Sequence, residues 1–375
     1  MDTNQIYELV NSTVAQAIGR TDVARFDAQG LISVGDVVLS SSANTEAFLN
    51  TLAQRIGRTI YRFRAYNSKI GRDMTVSDFQ WGAILQKIKV KMPDSVSDPT
   101  YSLTNGESVD HYTVSKPSVT QKLFVTRSPY MFKITVQRDT LREAFLSPEA
   151  MGSFISLIFG EVRNAIELAL DELGRLTICS AMSEVSQATQ IYRLVTMYNT
   201  EYELAGDDAL TASTCLHSDS FLRWSIGQIN HVADMMTEMS TLYNDGTVPT
   251  FTNKENMRIR LLSGFKRRLE TVTEYAAFHD EFVKIDNAYS TINYWQGAKQ
   301  PSNVSCKKPS NGENFTEDYV VCCIHDRDAF GIYQIDETVL TTPVNAAGQY
   351  YNQFWHEKQG RFVDTSENLV IFTLG

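Results

Sequence analysis

The sequence lacks the short motifs that mark the commonest classes of enzyme. It contains no GxGxxG, no GxxxxGKS or GxxxxGKT, no GxSxG and no HExxH. These are the motifs of dinucleotide binding, nucleotide phosphate binding, a nucleophilic serine and a zinc-binding helix. Their absence leaves no candidate residue for a nucleotide or cofactor, so we predict no cofactor-binding site.

Cysteine and histidine are scarce, with five and six residues in a chain of 375. The cysteines are an odd number without framework spacing, so we expect free thiols in a reducing compartment. Cys322 and Cys323 are adjacent on a predicted strand and point to opposite faces, so they could not both bind one metal without distortion of the strand. His279, beside Asp280 and Glu281, is the nearest approach to an acid/base group, but such charges at a helix end are usually solvated. We therefore predict neither a catalytic nor a metal site.

The sequence also lacks a signal peptide, a membrane-length apolar run and an excess of positive charge. Its first twenty residues have no basic start followed by an apolar block, so we expect synthesis in a cytoplasm. Charged residues such as Glu161, Arg163 and Glu167 interrupt the longest apolar helix candidate, which argues against a membrane span. The net charge of −10 and a pI near 5.2 argue against a dedicated nucleic-acid-binding protein.

What the sequence does contain is one long amphipathic helix, predicted from Ser147 to Met182. Ser147 is a capping residue, Pro148 occupies the first helical position, and Glu149 suits the positive end of the helix dipole. Apolar or small residues then recur every three or four positions: Ile155, Ile158, Val162, Ile166, Ala169, Leu173 and Leu176. Its roughly 36 residues would span about 54 Å. We interpret this helix as a strut between parts of the molecule.

A basic segment precedes this helix in an otherwise acidic chain. Between residues 55 and 91, nine lysines and arginines stand against two acidic residues, a local charge of +7. Within it, residues 61–65 and 87–92 alternate between apolar and basic side chains, which is the period of a β-strand. The alternation predicts a ribbon with one apolar and one basic face. The basic face would either be solvated or dock on an acidic partner, protein or nucleic acid.

The remaining segments predict a mixed architecture. Residues 1–55 begin with a candidate for a short amphipathic helix, with Ile6, Val10, Val14 and Ile18 on one face, and a second short helix is predicted from about Asn44. Between them, glycines and a triple serine divide the chain into short apolar pieces, which favours an extended arm. A second helix is predicted at about 220–242, where we interpret Met235, Met236 and Met239 as adaptable core residues. Strands return near the C-terminus, and the order of elements predicts an α+β fold.

These elements occur in the order found in the major capsid proteins of tailed bacteriophages, of the Hong Kong 97 type. The chain resembles that family over nearly its whole length, and most closely the capsid proteins of small short-tailed phages, the podoviruses. The resemblance rests on GDVVLSSSANTEAFLN, on WGAILQKIKVKMP and on the ending from RDAFGIYQ to GRFVDTSENLVIFTLG. It implies five segments: an N-terminal arm (1–55), an extended loop with peripheral-domain strands (56–146), a spine helix (147–185), an axial domain (186–317) and returning strands (318–375).

The resemblance implies a major capsid protein whose hexamers and pentamers form an icosahedral shell around the phage genome. It would be made in the host cytoplasm, be located in the virion, and need no cofactor or membrane. Besides copies of itself, its expected partners are scaffold, portal and head-decoration proteins, with only weak and non-specific contact to packaged DNA. Two alternatives stay open: an encapsulin-like compartment of the same fold, and an enzyme that uses His279 or the region of Cys322 and His325.

Charge predicts how one copy of such a protein would contact the next. On the long helix five acidic residues outnumber two basic ones, whereas the ribbon is basic. One exposed ion pair contributes only about 0.2–1 kcal/mol, but pairs repeated around a shell would set register. We predict that the ribbon of one copy crosses the helix of another through these residues: Arg62, Arg64, Lys87, Lys89, Lys91, Glu167, Asp171 and Glu172.

Overall fold

The computed structural model describes residues 3–19, 28–59, 69–76, 85–93, 95–110, 112, 114–276 and 289–375. It contains both helices and sheets, as predicted for an α+β fold. The strand predicted at 61–65, with Arg62 and Arg64, lies outside the described residues, and so does His279.

The helices, in chain order, are α1 (Thr3–Ile18), α2 (Ala28–Leu39), α3 (Ser42–Thr59), α4 (Lys69–Asp73), α5 (Arg138–Ala144), α6 (Pro148–Phe154), α7 (Gly160–Ser183), α8 (Leu194–Glu201), α9 (Asp219–Met235) and α10 (Ser263–Ala276). A π-helical turn, Ile155–Phe159, joins α6 to α7. None of the helices in the described ranges is both long and apolar enough to cross a bilayer.

The strands are β1 (Thr75–Val76), β2 (Leu85–Val90), β3 (Val119–Phe124), β4 (Arg127–Gln137), β5 (Ile191–Arg193), β6 (Met257–Leu262), β7 (Tyr289–Ile292), β8 (Val304–Lys307), β9 (Asn314–Glu317), β10 (Val320–Asp326), β11 (Phe330–Thr341), β12 (Tyr350–Val363) and β13 (Leu369–Thr373). Their hydrogen bonds form two larger sheets, ordered β1-β11-β12-β4 and β5-β13-β10-β6-β7, and two hairpins, β2-β3 and β8-β9.

The chain forms two compact units. The first unit is Met1–Trp81, Arg127–Leu176 and Ile332–Gly360, and the second unit is Gly82–Thr126, Thr177–Gly331 and Arg361–Gly375. The division falls inside α7, so the long helix contributes residues to both units. The assignment of residues 186–317 to an axial domain stays a prediction.

The core of the first unit lies among α1, α2, α3, α6, α7 and the four-stranded sheet β1-β11-β12-β4. Val10, Leu31 and Phe48 from the first three helices are completely buried, and so is Met151 of α6. From the sheet, Trp355 of β12 joins this cluster. Burying side chains of this size contributes about 1.5–3 kcal/mol each to stability.

The two short helices predicted within residues 1–55, at Ile6 to Ile18 and from about Asn44, are confirmed as α1 and α3. The expectation of extended chain between them was wrong for the described residues, which form α2. Gly35 lies within α2, where a Cβ would come within 2.7 Å of Phe145, so the glycine permits close packing rather than breaking the helix. The triple serine forms the turn between α2 and α3, in which the Ser41 hydroxyl accepts the N–H of Asn44 at 3.1 Å. Residues that favour turns also cap helices, and the sequence pattern did not separate the two roles.

The long helix is confirmed, with one interruption. The Ser147 hydroxyl accepts the N–H of Ala150 at 3.1 Å, Pro148 opens α6, and Glu149 lies in the first turn. The π-helical turn then adds one wider turn before α7 continues to Ser183. The apolar stripe is buried at Ile155, Val162 and Ile166.

The second unit is organised around β10, which pairs antiparallel with β13 on one side and with β6 on the other. Every residue of β10 is buried, including Cys322 and Cys323. Helix α9 ends at Met235, earlier than predicted. Met236 is completely buried as expected, but Met235 and Met239 are 42% and 46% exposed, so their interpretation as core residues was wrong.

Candidate functional site

The strongest candidate for a functional surface is the β2-β3 hairpin, which we call the ribbon. Its strands pair antiparallel from Leu85 opposite Phe124 to Val90 opposite Val119. The N–H of Lys91 then donates to the carbonyl of Ser118 at 2.8 Å and closes the base of the long tip loop, residues 91–118. The strand predicted at 87–92 is thus confirmed as β2.

The two faces of the ribbon have the polarity that the alternation predicted, but the apolar face is the exposed one. Ile88 and Val90 of β2 are 60% and 58% exposed, and Val119 and Leu123 of β3 are each 56% exposed. These side chains share one face with Gln86 and Gln121, because strand residues two apart lie on the same side. The ribbon therefore carries a continuous apolar surface that is exposed to solvent.

The lysines of the basic face instead form ion pairs with carboxylates of the same chain. We call this cluster of lysines and carboxylates the anchor. Lys87 Nζ lies 3.3 Å from Asp364 Oδ2, and Lys89 Nζ lies 2.9 Å from Glu367 Oε1. From β3, Lys122 Nζ lies 3.0 Å from Asp364 Oδ1. The expectation that the basic face is solvated or free for a partner does not hold for these lysines within one chain. Their carboxylates are more than 200 residues away in sequence, so no local pattern could have revealed them.

Further contacts enclose the anchor. Lys122 also binds Asp245 at 3.1 Å, and the Thr365 hydroxyl donates to the same carboxylate at 2.8 Å. The Lys87 ammonium lies 5.3 Å from the centre of the Phe362 ring, within range of a cation–π interaction. Phe362 in turn packs against Phe124 of β3, with ring centres 5.6 Å apart.

The protonation of these groups follows from their partners. Burial opposes ionisation of Asp245, but hydrogen bonds from Thr247 and Thr365, together with Lys122, lower its pKa to about 2. The pKa of Asp364 is also lowered, because hydrogen bonds from Ser366 and the charges of Lys87 and Lys122 outweigh burial. The pKa of Lys122 is raised by the same carboxylates in spite of partial burial. Asp245, Asp364 and Lys122 are therefore all charged at neutral pH.

A shallow cleft adjoins the anchor. It is lined by polar residues that include Glu184 and Gln190, together with Asp245, Asp364 and Glu367 of the anchor. Among the described residues that line it there is no histidine or cysteine.

The tip loop is the most exposed part of the ribbon. Tyr101 is 99% exposed, Tyr112 89% and Val96 87%. Its local order comes from short turns: the Asp98 carboxylate accepts the N–H of Thr100 at 2.9 Å and caps a single 3-10 turn at Pro99–Tyr101. Large apolar side chains held this far in solvent are typical of a surface that a partner covers.

The acidic residues predicted to receive the lysines occupy different environments on α7. Glu167 is 2% exposed and binds the Arg72 guanidinium through both carboxylate oxygens, with Arg163 Nε 3.8 Å away. Asp171 is 5% exposed and accepts the N–H of Ile70 at 3.3 Å. Glu172 alone of the predicted three is exposed. The predicted contact between copies stays a prediction. Within one chain, however, Glu167 and Asp171 are buried and already bind groups of the same chain.

The exposed side of α7 carries apolar residues as well as Glu172. Leu168 is 52% exposed and Leu176 is 47% exposed. They lie four residues before and four residues after Glu172, so the three side chains follow one line along the helix surface.

The region of Cys322 and His325 is structural. His325 is 2% exposed, and its Nε2 accepts the N–H of Arg260 Nε at 2.9 Å while Nδ1 contacts the carbonyl of Asp326 at 2.7 Å. Burial, and then Arg260, hold the pKa of this histidine well below its usual value. Burial also raises the pKa of the Cys322 thiol well above normal and that of Cys323 to about 12. In the described ranges, no group of acidic, cysteine or histidine side chains could hold a metal ion.

Comparison with known proteins places this geometry in context. A family model described as Phi29-like phage major capsid protein matches residues 10–373. Among solved structures, the chain is similar to one in the capsid structure of Staphylococcus phage Andhra, with a TM-score of 0.54, 9% identity, and coverage of 83% of this chain and 85% of that chain. It is also similar to one in the structure of head fiber and inner core protein gp22 of native bacteriophage P68, with a TM-score of 0.51, 10% identity, and coverage of 83% and 86%. These likenesses confirm the predicted Hong Kong 97-type fold. No curated protein sequence gives a significant match.

Proposed function

The chain belongs to the Phi29-like phage major capsid protein family, and on that premise we propose that the exposed face of its ribbon is the surface by which one subunit of the shell holds another. The protein is a structural component of the phage head, located in the virion, and it is not an enzyme. Copies of it form the icosahedral shell that encloses the genome. The family match disfavours the encapsulin-like alternative.

The observation that carries the proposal is the apolar face of the ribbon. Ile88, Val90, Val119 and Leu123 lie together and are each more than half exposed. Removing apolar surface from water contributes about 25 cal/mol per Å². A contiguous patch of this kind therefore gives a second copy a favourable surface to cover, and the patch is useful only when that copy is present.

The partner surface that fits is the exposed side of α7 in another copy. Leu168 and Leu176 are separated by about 12 Å along the helix axis. A ribbon laid across this line would place apolar side chains against apolar side chains. Lys91 follows the alternation onto the basic face, but it lies just beyond β2 and is exposed, so its long side chain would reach around the end of the strand toward the exposed Glu172. This arrangement keeps one pair of the charge contact predicted from sequence and replaces the others with apolar packing.

The proposal extends to the assembly as a whole. We infer hexamers and pentamers in which residues 186–317 surround the centre of each capsomer, with synthesis in the host cytoplasm. Scaffold, portal and head-decoration proteins are the further partners we propose. The net charge of −10 supports no more than weak, non-specific contact with packaged DNA.

The experiment is to replace Ile88 and Val90 together by Ser and to follow shell formation of the purified protein by sedimentation and negative-stain electron microscopy. We expect a folded subunit with an unchanged unfolding midpoint that does not form shells. The matched control replaces Gln86 and Gln121 by Ser, since both are exposed on the same face of the ribbon, and it should assemble normally. Shells formed by the Ile88/Val90 variant as readily as by the control would refute the proposed role of this face.

A further inference from the structure

Two lysines stand directly opposite each other across the ribbon. Lys87 of β2 and Lys122 of β3 are register partners, and both point to the anchored face. Directly opposite residues of an antiparallel pair have Cβ atoms about 4.5–5.5 Å apart, and like charges at such a position destabilise the pairing. Lys89 adds a third positive charge on the same face. The ribbon in this register therefore depends on negative charge from outside the ribbon.

Asp364 supplies that charge to both strands at once. Its Oδ2 lies 3.3 Å from Lys87 Nζ, and its Oδ1 lies 3.0 Å from Lys122 Nζ. The side chain is 1% exposed, whereas the two lysine side chains are 21% and 30% exposed. The carboxylate thus bridges the two strands on the anchored face of the ribbon. Because it is buried there, it is shielded from water.

The position of this carboxylate is fixed by its own surroundings. Asp364 Oδ1 also accepts the N–H of Ser366 at 3.1 Å and its hydroxyl at 2.7 Å. The backbone N–H of Asp364 donates to the carbonyl of Ala329 at 2.7 Å. The lysines therefore meet a carboxylate whose orientation is set before they bind.

The other acidic groups of the anchor do not bridge the strands. Within the described chain, Asp245 forms an ion pair with Lys122 of β3, and Glu367 forms ion pairs with Lys87 and Lys89 of β2. Each of them holds one strand. Asp364 differs because it holds one lysine from each strand.

We propose that Asp364 is the positioning residue of the ribbon: by bridging Lys87 and Lys122 it holds the two strands in register and fixes them on the second unit. The pairing of the strands is a property of the single chain, and only its importance for assembly rests on the function proposed above. Removal of the carboxylate leaves two partly buried ammonium groups facing each other, each with one remaining acidic partner, Glu367 for Lys87 and Asp245 for Lys122, and it removes the one carboxylate in the described chain that joins the two strands. This is more costly than loss of an exposed ion pair. The register of the ribbon determines which side chains form its outer face, because a slip of one residue would exchange the two faces.

The test is hydrogen exchange of the full-length, unassembled subunit carrying Asp364→Asn, read by mass spectrometry. This variant keeps the shape of the side chain and removes its charge. We expect amides of β2 and β3 to exchange faster by on the order of a hundredfold, with β10 unchanged. The matched control, Asp336→Asn, removes an exposed carboxylate that pairs with Lys358 at 3.1 Å and should change exchange less than about threefold. Unchanged exchange in the ribbon of Asp364→Asn would overturn the inference.

A triple variant covers the case in which Asp364→Asn also loosens β10. Asp364→Asn combined with Lys87→Met and Lys122→Met removes the repulsion together with the carboxylate, so ribbon protection should return to within about tenfold of the wild type. Failure of this rescue would refute the bridging role.

Shell formation by the single variant is scored separately. Normal shells from a subunit with an unprotected ribbon would refute the proposed function and leave the role of Asp364 intact. Failed assembly with a protected ribbon would refute the role of Asp364 and leave the proposed function intact.

Discussion

The ribbon and the five-stranded sheet of the second unit show how little the composition of a strand decides its burial. β10 contains two cysteines, a histidine and an aspartate, and all of its residues are buried. β2 contains Ile88 and Val90, and both are more than half exposed. β10 has a hydrogen-bonded neighbour on each side, whereas β2 pairs with β3 in a two-stranded ribbon. Burial is therefore decided by what surrounds a strand, and we propose that a second copy covers the apolar face of the ribbon.

The largest expected contrast between the two regions is in stability. Ile324 of β10 is completely buried, so Ile324→Ala should lower the unfolding free energy by about 2–5 kcal/mol. Ile88→Ala on the ribbon should change it by less than about 0.5 kcal/mol. Urea unfolding of the unassembled subunit measures both values, and Ile324→Val, at about 0.5–1.5 kcal/mol, is the conservative control. Equal losses at the two positions would remove the distinction.

The pH dependence of stability tests the contribution of a buried carboxyl group, which the exposed ribbon lacks on its outer face. Glu357 of β12 is 2% exposed, and burial, followed by Glu337, raises its pKa to about 8, with Arg163 opposing and Glu167 and Asp336 adding to the rise. A carboxyl with a raised pKa stabilises the fold fully below its unfolded pKa, and this contribution is lost as the pH rises through about 8.

We therefore expect the unfolding free energy to fall by a few kcal/mol between about pH 5 and 9, and Glu357→Gln to flatten much of that fall. Denaturant unfolding at several pH values measures the slope. Glu172→Gln, at an exposed position of α7, is the control and should leave the slope unchanged. Identical slopes for wild type and Glu357→Gln would contradict the prediction.

The cysteines of β10 give a smaller expected effect. Cys322 and Cys323 are completely buried and remain neutral thiols, so they act as small apolar residues. Their joint replacement by Ala should cost about 1–3 kcal/mol of unfolding free energy without affecting shell formation through metal or redox chemistry. Cys306→Ala, at a half-buried site, should cost less. Stoichiometric zinc in the clean protein, or loss of shells under reductant, would count against this prediction.

The smallest expected effect concerns the exposed charges of the ribbon. Lys91→Glu should leave unfolding unchanged and weaken shell formation at low salt, since one exposed pair contributes about 0.2–1 kcal/mol. Reversal of the proposed partner, Glu172→Lys, should restore part of the loss. Light scattering at about 0.1 M and 1 M salt tests this, because the Debye length falls from about 10 Å to about 3 Å. A defect that is equal at both salt concentrations would argue against a charge contact.

The sequence predicted what depends on local pattern. The long helix was found because its cap at Ser147 and its apolar period are both local signals. The alternation in residues 87–92 predicted a strand with two unlike faces, but not which face points inward, because that depends on Asp364 and Glu367 far along the chain. Of the N-terminal helices, α1 and α3 were found from their apolar period, whereas α2 was missed because Gly35 serves close packing against Phe145. Exposure of Met235 could not be predicted, because the helical period identifies a stripe and not the residue where the helix ends.

The π-helical turn at Ile155–Phe159 has a consequence for insertions and deletions in the long helix. A π turn holds one residue more than an α turn, and one residue corresponds to about 100° of rotation about the axis. Met151 and Phe154 before the turn, and Val162 and Ile166 after it, nevertheless reach the same core cluster. Deletion of one residue from this turn would convert it to an ordinary α turn and leave the two halves of the helix in phase, whereas the same deletion within α7 would rotate the side chains on one side of it by about 100° away from that core. The turn is thus a position at which the long helix tolerates the loss of a single residue.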